Sequence, residues 1–248
     1  MKLTRILSVL PALSLSLVAC GGSDDSGGDQ QPAPLQGTVN QQSAKASAQQ
    51  TITATRTAFT SKDTGSKKGL GVAAQLQGAA SSSQGIITPA AAGAPTQSTT
   101  GEVAQAIGAG TCDCTDTKCS FKDCADNPGV TINGELAYEN GKLTCKDLAY
   151  TVTSAASAGT TTITINCDIA YTDTSVAGTL STTGATSVGG AKVGWSSSST
   201  FNAVKYDATG KAVSGSVDVT ATYSIEVATG QQGAAPQVYQ GSASVTFP

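Results

Sequence analysis

Cysteine is the residue type in this chain whose spacing points most directly to chemistry. Seven cysteines occur in 248 residues, and the first, Cys20, stands alone. Four others follow the pattern Cys-x-Cys-x4-Cys-x4-Cys between residues 112 and 124. Zinc sites usually contain Cys-x2–4-Cys pairs, often with histidine, and this chain has no histidine. An even number of cysteines in an exported chain instead predicts three disulfides, formed among Cys112, Cys114, Cys119, Cys124, Cys145 and Cys167.

Aspartate offers a second kind of chemistry in the same stretch. Asp113, Asp116, Asp123 and Asp126 lie close together, and carboxylate oxygens are the ligands that Ca²⁺ prefers. The spacing lacks the alternating ligands, the glycine and the closing glutamate of an EF-hand loop. Two nearby lysines also partly neutralise these carboxylates. We therefore favour a solvated acidic loop, with no metal and no cofactor.

The residues needed for catalysis are not arranged in any familiar pattern. Without histidine there is no His-based triad, and neither a Gly-x-Ser-x-Gly elbow nor a Ser-x-x-Lys with its companion motifs occurs. Two carboxylates could meet in space as in a glycosidase, but nothing in the sequence selects a pair. We predict that the protein is not an enzyme.

Composition and charge exclude nucleic acid as a partner. Lysine and arginine number 14 against 17 acidic residues, giving a net charge of −3, and only 12% of residues are charged. Binding to phosphates requires a basic face, which this chain does not have. Its surface must be polar mainly through serine, threonine, asparagine and glutamine.

The N-terminus has the layout of an export signal. Lys2 and Arg5 precede an apolar run that ends in Leu17-Val18-Ala19-Cys20, and this run is too short to span a bilayer. The last four residues resemble the lipobox of bacterial lipoproteins. The resemblance covers the first 20 residues and implies that Cys20 becomes the N-terminus and carries fatty acyl chains. An ordinary secretory signal, with Cys20 as a stray thiol, is the less favoured alternative.

The lipobox resemblance also implies a location. In Gram-negative lipoproteins, an aspartate directly after the cysteine resembles a signal for retention in the inner membrane, but here that position is Gly21. We therefore expect a lipid-anchored protein of the bacterial cell envelope, attached to the outer membrane. Acyl chains provide the attachment, because each buried methylene contributes about 0.8 kcal/mol.

The rest of the chain divides by composition and periodicity. Residues 1–19 are the signal peptide, and residues 20–37 read as the lipidated N-terminus and a flexible tether. Residues 38–110 form a weakly helical and linker region. Its first helix, residues 39–59, is predicted to turn Ala44, Ala48, Ile52, Thr55 and Phe59 inward. A second helix is expected over residues 68–80, a linker over 81–99 and one helical turn over 102–107.

Residues 111–248 are predicted to form a disulfide-bonded antiparallel β domain. Apolar residues alternate with polar ones over 130–138, 163–171, 213–227 and 239–247, which indicates strands with one buried face. Asn140-Gly141, Thr183-Gly184 and Asp207-Ala208-Thr209-Gly210 are turn signals. The predicted fold is mainly β, an up-and-down meander of seven to eight strands. It forms a curled sheet or half-barrel with short N-terminal helices packed on it.

Two details of these strands bear on the structure. Cys145 and Cys167 flank a hairpin and would face each other if a bulge occurred near Lys146-Asp147; alternatively, one or both bond to the 112–124 loop. A glycine recurs on the apolar face in four strands, at residues 134, 178, 215 and 241. We favour a backbone reason for these glycines over the close approach of a ligand.

The sequence leaves two functions open. The first is a non-enzymatic outer-membrane lipoprotein that acts as a structural or interaction module for an unknown partner. The alternative is a carrier, in which an apolar ligand lies between the curled sheet and the N-terminal helices.

Overall fold

The computed structural model describes residues 33–88, 110–127, 129–154, 159–188, 191–227 and 236–248. They belong to one compact unit, Pro32–Pro248. The export signal with Cys20 and the helical turn expected over residues 102–107 lie outside the described residues.

Two helices and three very short strands come first in the chain. They are β1 (Leu35–Gln36), β2 (Thr38–Val39), α1 (Gln41–Thr60), α2 (Gly65–Ser83) and β3 (Ile87–Thr88). Nine further strands follow: β4 (Thr111–Cys114), β5 (Lys118–Asn127), β6 (Val130–Glu139), β7 (Lys142–Ser154), β8 (Gly159–Tyr171), β9 (Ser175–Val188), β10 (Ala191–Tyr206), β11 (Ala212–Val227) and β12 (Gln237–Phe247).

The protein is mainly β, and its strands form one large open sheet. The order across the sheet is β1-β12-β11-β10-β9-β8-β7-β6-β5-β4, so that consecutive strands pair from β4 to β12 as in a meander. The prediction of seven to eight strands was too low, because the sheet has ten. The sheet is also mixed rather than purely antiparallel, since β1 pairs in parallel with β12. Strand β1 consists of Leu35 and Gln36, which the sequence placed in the tether.

Helix α1 forms where the sequence predicted a helix. Its N-cap is Asn40, whose side-chain oxygen accepts hydrogen bonds from the backbone N–H groups of Gln42 and Ser43. The predicted inward positions Ala44, Ala48, Ile52 and Thr55 are buried. Phe59 is partly buried, and its ring stacks on Tyr171 with 4.8 Å between centroids.

Helix α2 is longer at both ends than the predicted segment. Leu70, Ala73 and Leu76 of this helix are buried. The helix continues through residues 81–83, and β3 follows at Ile87–Thr88, so the linker predicted over residues 81–99 was wrong in these positions. No helix in the described ranges is long and apolar enough to cross a bilayer.

The two helices lie against the inner face of a curved sheet. Helix α2 contacts β4, β5, β8 and β9, while α1 contacts β8, β11 and β12. Ten strands spaced about 4.8 Å apart would make a flat sheet more than 40 Å wide, whereas two packed helices cover about 20 Å. The sheet must therefore curl around the helix pair for the helices to reach strands so far apart.

Irregular positions in neighbouring strands bend the sheet. Asp123 and Asp147 have positive φ and lie at shifts in strand register. Each donates its backbone N–H to an asparagine side chain on the next strand, Asn133 and Asn166 respectively, at 2.8 and 2.9 Å. Gly134 has φ +109°, and a Cβ there would lie 2.3 Å from the Asp147 carbonyl oxygen. The predicted bulge at residues 146–147 is therefore present, and the glycine serves the backbone, as expected.

The turns expected at residues 140–141 and 207–210 occur where the sequence placed them. Asn140 and Gly141 both have positive φ and join β6 to β7. The turn at Asp207 joins β10 to β11, with the Asp207 carboxylate accepting from the backbone N–H groups of Thr209 and Lys211. Residues 183–184, by contrast, lie inside β9, so the turn predicted there was wrong.

Candidate functional site

The six cysteines form three disulfides, as predicted. Cys112 bonds to Cys124, Cys114 to Cys119 and Cys145 to Cys167. The last bond joins cross-strand neighbours whose Cα atoms are 4.6 Å apart. Neither strand cysteine bonds to the 112–124 segment, so that alternative is excluded.

The segment expected to be an acidic loop is a strand hairpin, β4–β5. The loop prediction was therefore wrong: Cys119 and Phe121 alternate with polar residues, as strand residues do. Both of its disulfides stay within the hairpin.

The N-terminus of α2 packs directly on this hairpin. A Cβ on Gly69 would lie 2.0 Å from the Cys119 Sγ and 2.8 Å from the Cys114 Sγ, so only glycine fits over that disulfide. The Ser66 hydroxyl donates to the Cys112 carbonyl oxygen at 3.1 Å. The backbone N–H of Gly65 donates to the Asp116 carboxylate at 3.4 Å, which places a negative charge at the positive end of the helix dipole. The hairpin therefore fixes the start of α2 on the sheet.

The four acidic residues do not converge. Asp113 is exposed on β4, Asp116 faces α2, and the Asp123 carboxylate accepts a hydrogen bond from the Asn133 side-chain amide at 3.2 Å. Asp126 belongs to β5, but its side chain lies outside the described part. Among the residues that the structure describes, no group of acidic or cysteine side chains is arranged to hold a metal ion.

The space between the helices and the sheet is filled by side chains from both layers. Ile52, Val72 and Leu76 on the helices are fully buried, as are Leu136 and Ile165 on the sheet. Tyr150 crosses this layer, and its hydroxyl donates to the Ala73 carbonyl oxygen of α2 at 2.6 Å.

A chain of buried hydroxyl groups runs from the end of α2 into the sheet. The Ser83 hydroxyl lies 2.8 Å from the Thr182 hydroxyl, which lies 2.7 Å from the Ser197 hydroxyl. Nearby on β10, the Trp195 ring covers Gly184, where a Cβ would be 2.0 Å from the ring. Trp195 is 4% exposed, and its indole N–H has no hydrogen-bond acceptor. Such an orphan donor is unusual, because buried polar groups are nearly always paired.

The outer face of β8–β12 carries a regular array of hydroxyl groups, which we call the hydroxyl surface. Three rows of cross-strand neighbours traverse it, and one runs Asn166, Ser181, Ser198, Thr220, Ser242. Only two of the residues in the three rows, Asp168 and Asp218, are charged. The hydroxyl-bearing members are Thr164, Thr179, Ser181, Thr183, Ser196, Ser198, Thr200, Thr220, Thr222, Ser242 and Ser244.

A shallow groove crosses the hydroxyl surface between β10 and β12. It is lined by Ser198, Thr200, Asp218, Thr220 and Ser244, among others. Hydrogen bonds from Ser244 and from the Asn202 amide hold the pKa of the Asp218 carboxyl below its usual value, so this group is ionised at neutral pH.

Comparison with known proteins gives no assignment for this architecture. No family model matches the chain, and no significant match was found among curated proteins or solved structures.

The sequence predicted the disulfide cysteines but not the hydroxyl surface. The outward residues of β8 and β11 can be read from their alternation, but the rows depend on cross-strand register. Strand β10 was also missed, because its inward residues include the buried serines Ser197 and Ser199.

Proposed function

We propose that the protein is a non-enzymatic lipoprotein of the bacterial outer membrane, held by acyl chains on Cys20, whose folded unit acts as a structural or interaction module. The attachment rests on the motif Leu17-Val18-Ala19-Cys20 at the end of a short apolar run. The membrane is then one partner, and the acyl chains, rather than electrostatic attraction, attach the protein to it.

The hydroxyl surface is the observation that carries the interaction role. Short serine and threonine side chains have few rotamers to lose on binding, and their hydroxyl groups both donate and accept hydrogen bonds. The strands beneath them are held by a continuous ladder from β8 to β12. Such a surface fits an uncharged, hydrogen-bonding partner.

A non-enzymatic role is supported by the placement of the ionisable groups. Within the described ranges, Lys67, Lys118 and Lys142 form ion pairs with carboxylates, and all three pairs are at the surface. Asp207 and Asp218, whose pKa values are lowered, lie in an exposed turn and on an exposed face. A general acid at neutral pH needs a carboxyl whose pKa is raised, and the pKa values of Asp207 and Asp218 are shifted in the opposite direction.

The anchor is tested by metabolic labelling with a fatty acid analogue in a Gram-negative host. We expect label on the full chain and on the control variant Ser23→Ala, and no label on Cys20→Ser. The full chain should partition into detergent and fractionate with outer membranes. Equal labelling of Cys20→Ser would contradict the proposal.

The interaction role is tested by thiol accessibility in the cell envelope. Ser198→Cys places a thiol on the hydroxyl surface, and Lys211→Cys places one in an exposed turn as the control. We expect maleimide to label Ser198→Cys at least several-fold more slowly in intact envelopes than in purified protein, with no such difference for Lys211→Cys. Equal ratios for the two variants would show that the surface is not covered in the cell.

Trp195 is the observation that bears on the carrier alternative. Its unpaired indole N–H lies within the layer where a carried ligand would sit, and it is the single tryptophan of the chain. Saturable binding of an apolar fluorescent probe with a matching change in tryptophan emission would favour the carrier. Absence of saturation would favour the interaction module, which the packed helix–sheet layer supports.

A further inference from the structure

In the part of the chain that the structure describes, one edge of the sheet remains open along most of β12. Strand β1 covers only Tyr239 and Gln240, and the backbone N–H of Gly37 donates to the Gln240 carbonyl oxygen at 2.9 Å. The chain then leaves the edge to form β2. Among the described residues, none pairs with β12 on this side beyond Gln240.

The direction of the free backbone groups follows from the Gln240 contact. A residue in a strand points its N–H and C=O to the same side, and this side alternates along the chain. Because the Gln240 carbonyl points outward and β12 pairs with β11 without a register shift, Ser242, Ser244 and Thr246 also direct their backbone groups outward. These unpaired groups form a template for another strand.

The opposite edge of the sheet is closed to such pairing. Strand β4 has only four residues, and both of its cysteines are bonded to β5. The Cys112 carbonyl oxygen accepts a hydrogen bond from Ser66, at the start of α2. Short length and a covering element are two ways in which proteins protect an edge strand. Gly241 of β12 lies against Gly37 and Val39. In the described part of the chain, no strand pairs with residues 242–247 of β12 on this side.

We propose that residues 242–246 of β12 pair antiparallel with the same residues of a second copy of this chain, with Ser244 on the two-fold axis. The register follows from the backbone N–H and C=O groups that point away from β11. Pairing Ser244 with its own counterpart places Ser242 opposite Thr246 of the second copy, so all three outward residues on each strand form hydrogen-bonded pairs. If the second strand were shifted by two residues in one direction, its Thr246 would have to pair with Gln240, which β1 already occupies. If it were shifted in the other direction, Ser242 would have to pair with Pro248, which has no N–H.

The composition of β12 fits a second copy as its partner. Residues 237–248 contain no lysine, arginine, aspartate or glutamate, so no like charges meet across the two-fold axis. The pairing would continue the hydroxyl surface from Ser244 of one copy to the other. On the inner face it would bring the partly exposed Ala243 of each copy beside Val245 of the other. The same surface on both copies is what a two-fold interface requires, and the pairing does not depend on the acyl anchor.

Cysteine crosslinking tests the register in the full chain within cell envelopes. Hydrogen-bonded antiparallel partners have Cα atoms about 5.5 Å apart, within the range of a disulfide. Ser244→Cys should therefore form a covalent dimer under mild oxidation. Ser242→Cys alone should form no covalent dimer, because its counterpart lies about 13 Å away along the strands, but Ser242→Cys with Thr246→Cys should crosslink. Absence of a covalent dimer of Ser244→Cys, or equal crosslinking of both single variants, would overturn the proposal.

Proline provides an independent test that does not introduce a thiol. The Ser244 N–H points away from β11, so Ser244→Pro should leave the fold intact while removing two hydrogen bonds at the axis. Ser244→Ala keeps the N–H and is the matched control. We expect detergent-solubilised Ser244→Ala to sediment as a dimer and Ser244→Pro as a monomer, with similar unfolding temperatures. A dimeric Ser244→Pro with native stability, or a monomeric parent chain, would contradict the pairing.

Discussion

Gly69 of α2 lies against the Sγ atom of Cys119, so close that a Cβ on Gly69 would be 2.0 Å from the sulfur. Gly71, two residues later in the same helix, has no atom within 4 Å of the corresponding position. One glycine therefore allows the helix to approach a disulfide, while the other has no neighbour that requires it.

Alanine at these two positions should change stability in opposite directions. Gly69→Ala forces the helix and the Cys114–Cys119 disulfide apart, and such overpacking costs about 1–3 kcal/mol. Gly71→Ala should stabilise by up to about 1 kcal/mol, because alanine is the better helix former. Urea unfolding of both variants measures the difference. Equal effects would mean that α2 does not pack on the hairpin disulfide as described.

The disulfides should differ in their contribution to the free energy of unfolding. Cys145–Cys167 spans 22 residues and Cys114–Cys119 spans 5. The chain-entropy model assigns them about 3 and about 2 kcal/mol respectively. Paired alanine variants should therefore show the larger loss for Cys145→Ala with Cys167→Ala. The reverse order in thermal or urea unfolding would indicate that packing, rather than loop closure, dominates.

The buried hydrogen bond between Tyr150 and Ala73 should contribute measurably to stability. Tyr150→Phe removes a hydroxyl that lies in the helix–sheet layer, and we expect a loss of about 1–2 kcal/mol. Tyr239→Phe is the control, since the Tyr239 hydroxyl donates to Gln237 at an exposed position. Its unfolding midpoint should match that of the parent chain. Equal losses for the two variants would argue against a structural role for the Tyr150 hydroxyl.

The turn at Asp207 should make stability sensitive to acid. The pKa of its carboxyl is lowered from 3.8, first by the Thr209 hydroxyl and then by backbone N–H groups of the turn. A carboxyl whose pKa is lower in the folded state stabilises above its unfolded value, and this contribution is lost as the pH falls through the folded value. Asp207→Asn should thus be less stable than the parent at pH 7, and the gap should narrow below pH 3.8. A gap that does not depend on pH would contradict this.

How far the sequence predicts the fold depends on which residues face inward. Strands β6, β8 and β11 bury apolar residues at every second position, so their period of two is visible. Strand β10 turns Ser197 and Ser199 inward, where Ser197 bonds to Thr182, and its pattern is therefore hidden. Gly184 was wrongly predicted to lie in a turn. The structure requires glycine there because the ring of Trp195, on the next strand, covers this position.

The candidate surfaces were less predictable than the elements that form them. Alternation in β11 identifies Thr220 as outward, but its neighbours Ser198 and Ser242 follow only from cross-strand register. The open edge depends on β1, whose two residues carry no periodic signal at all. The disulfide between Cys145 and Cys167 could be proposed from the sequence, because both cysteines lie in one hairpin with a recognisable bulge.

The pairing of β1 with β12 also has a consequence for the order of folding. From β4 to β12 every strand pairs with its neighbour in sequence, so the sheet can assemble hairpin by hairpin through local contacts. The contact between Leu35 and Tyr239 instead closes a loop that contains both helices and the rest of the sheet. Closing so large a loop carries the greatest entropic cost of any strand pairing in the molecule. We therefore expect the β1–β12 contact to form last, so that its appearance would mark the completion of the fold.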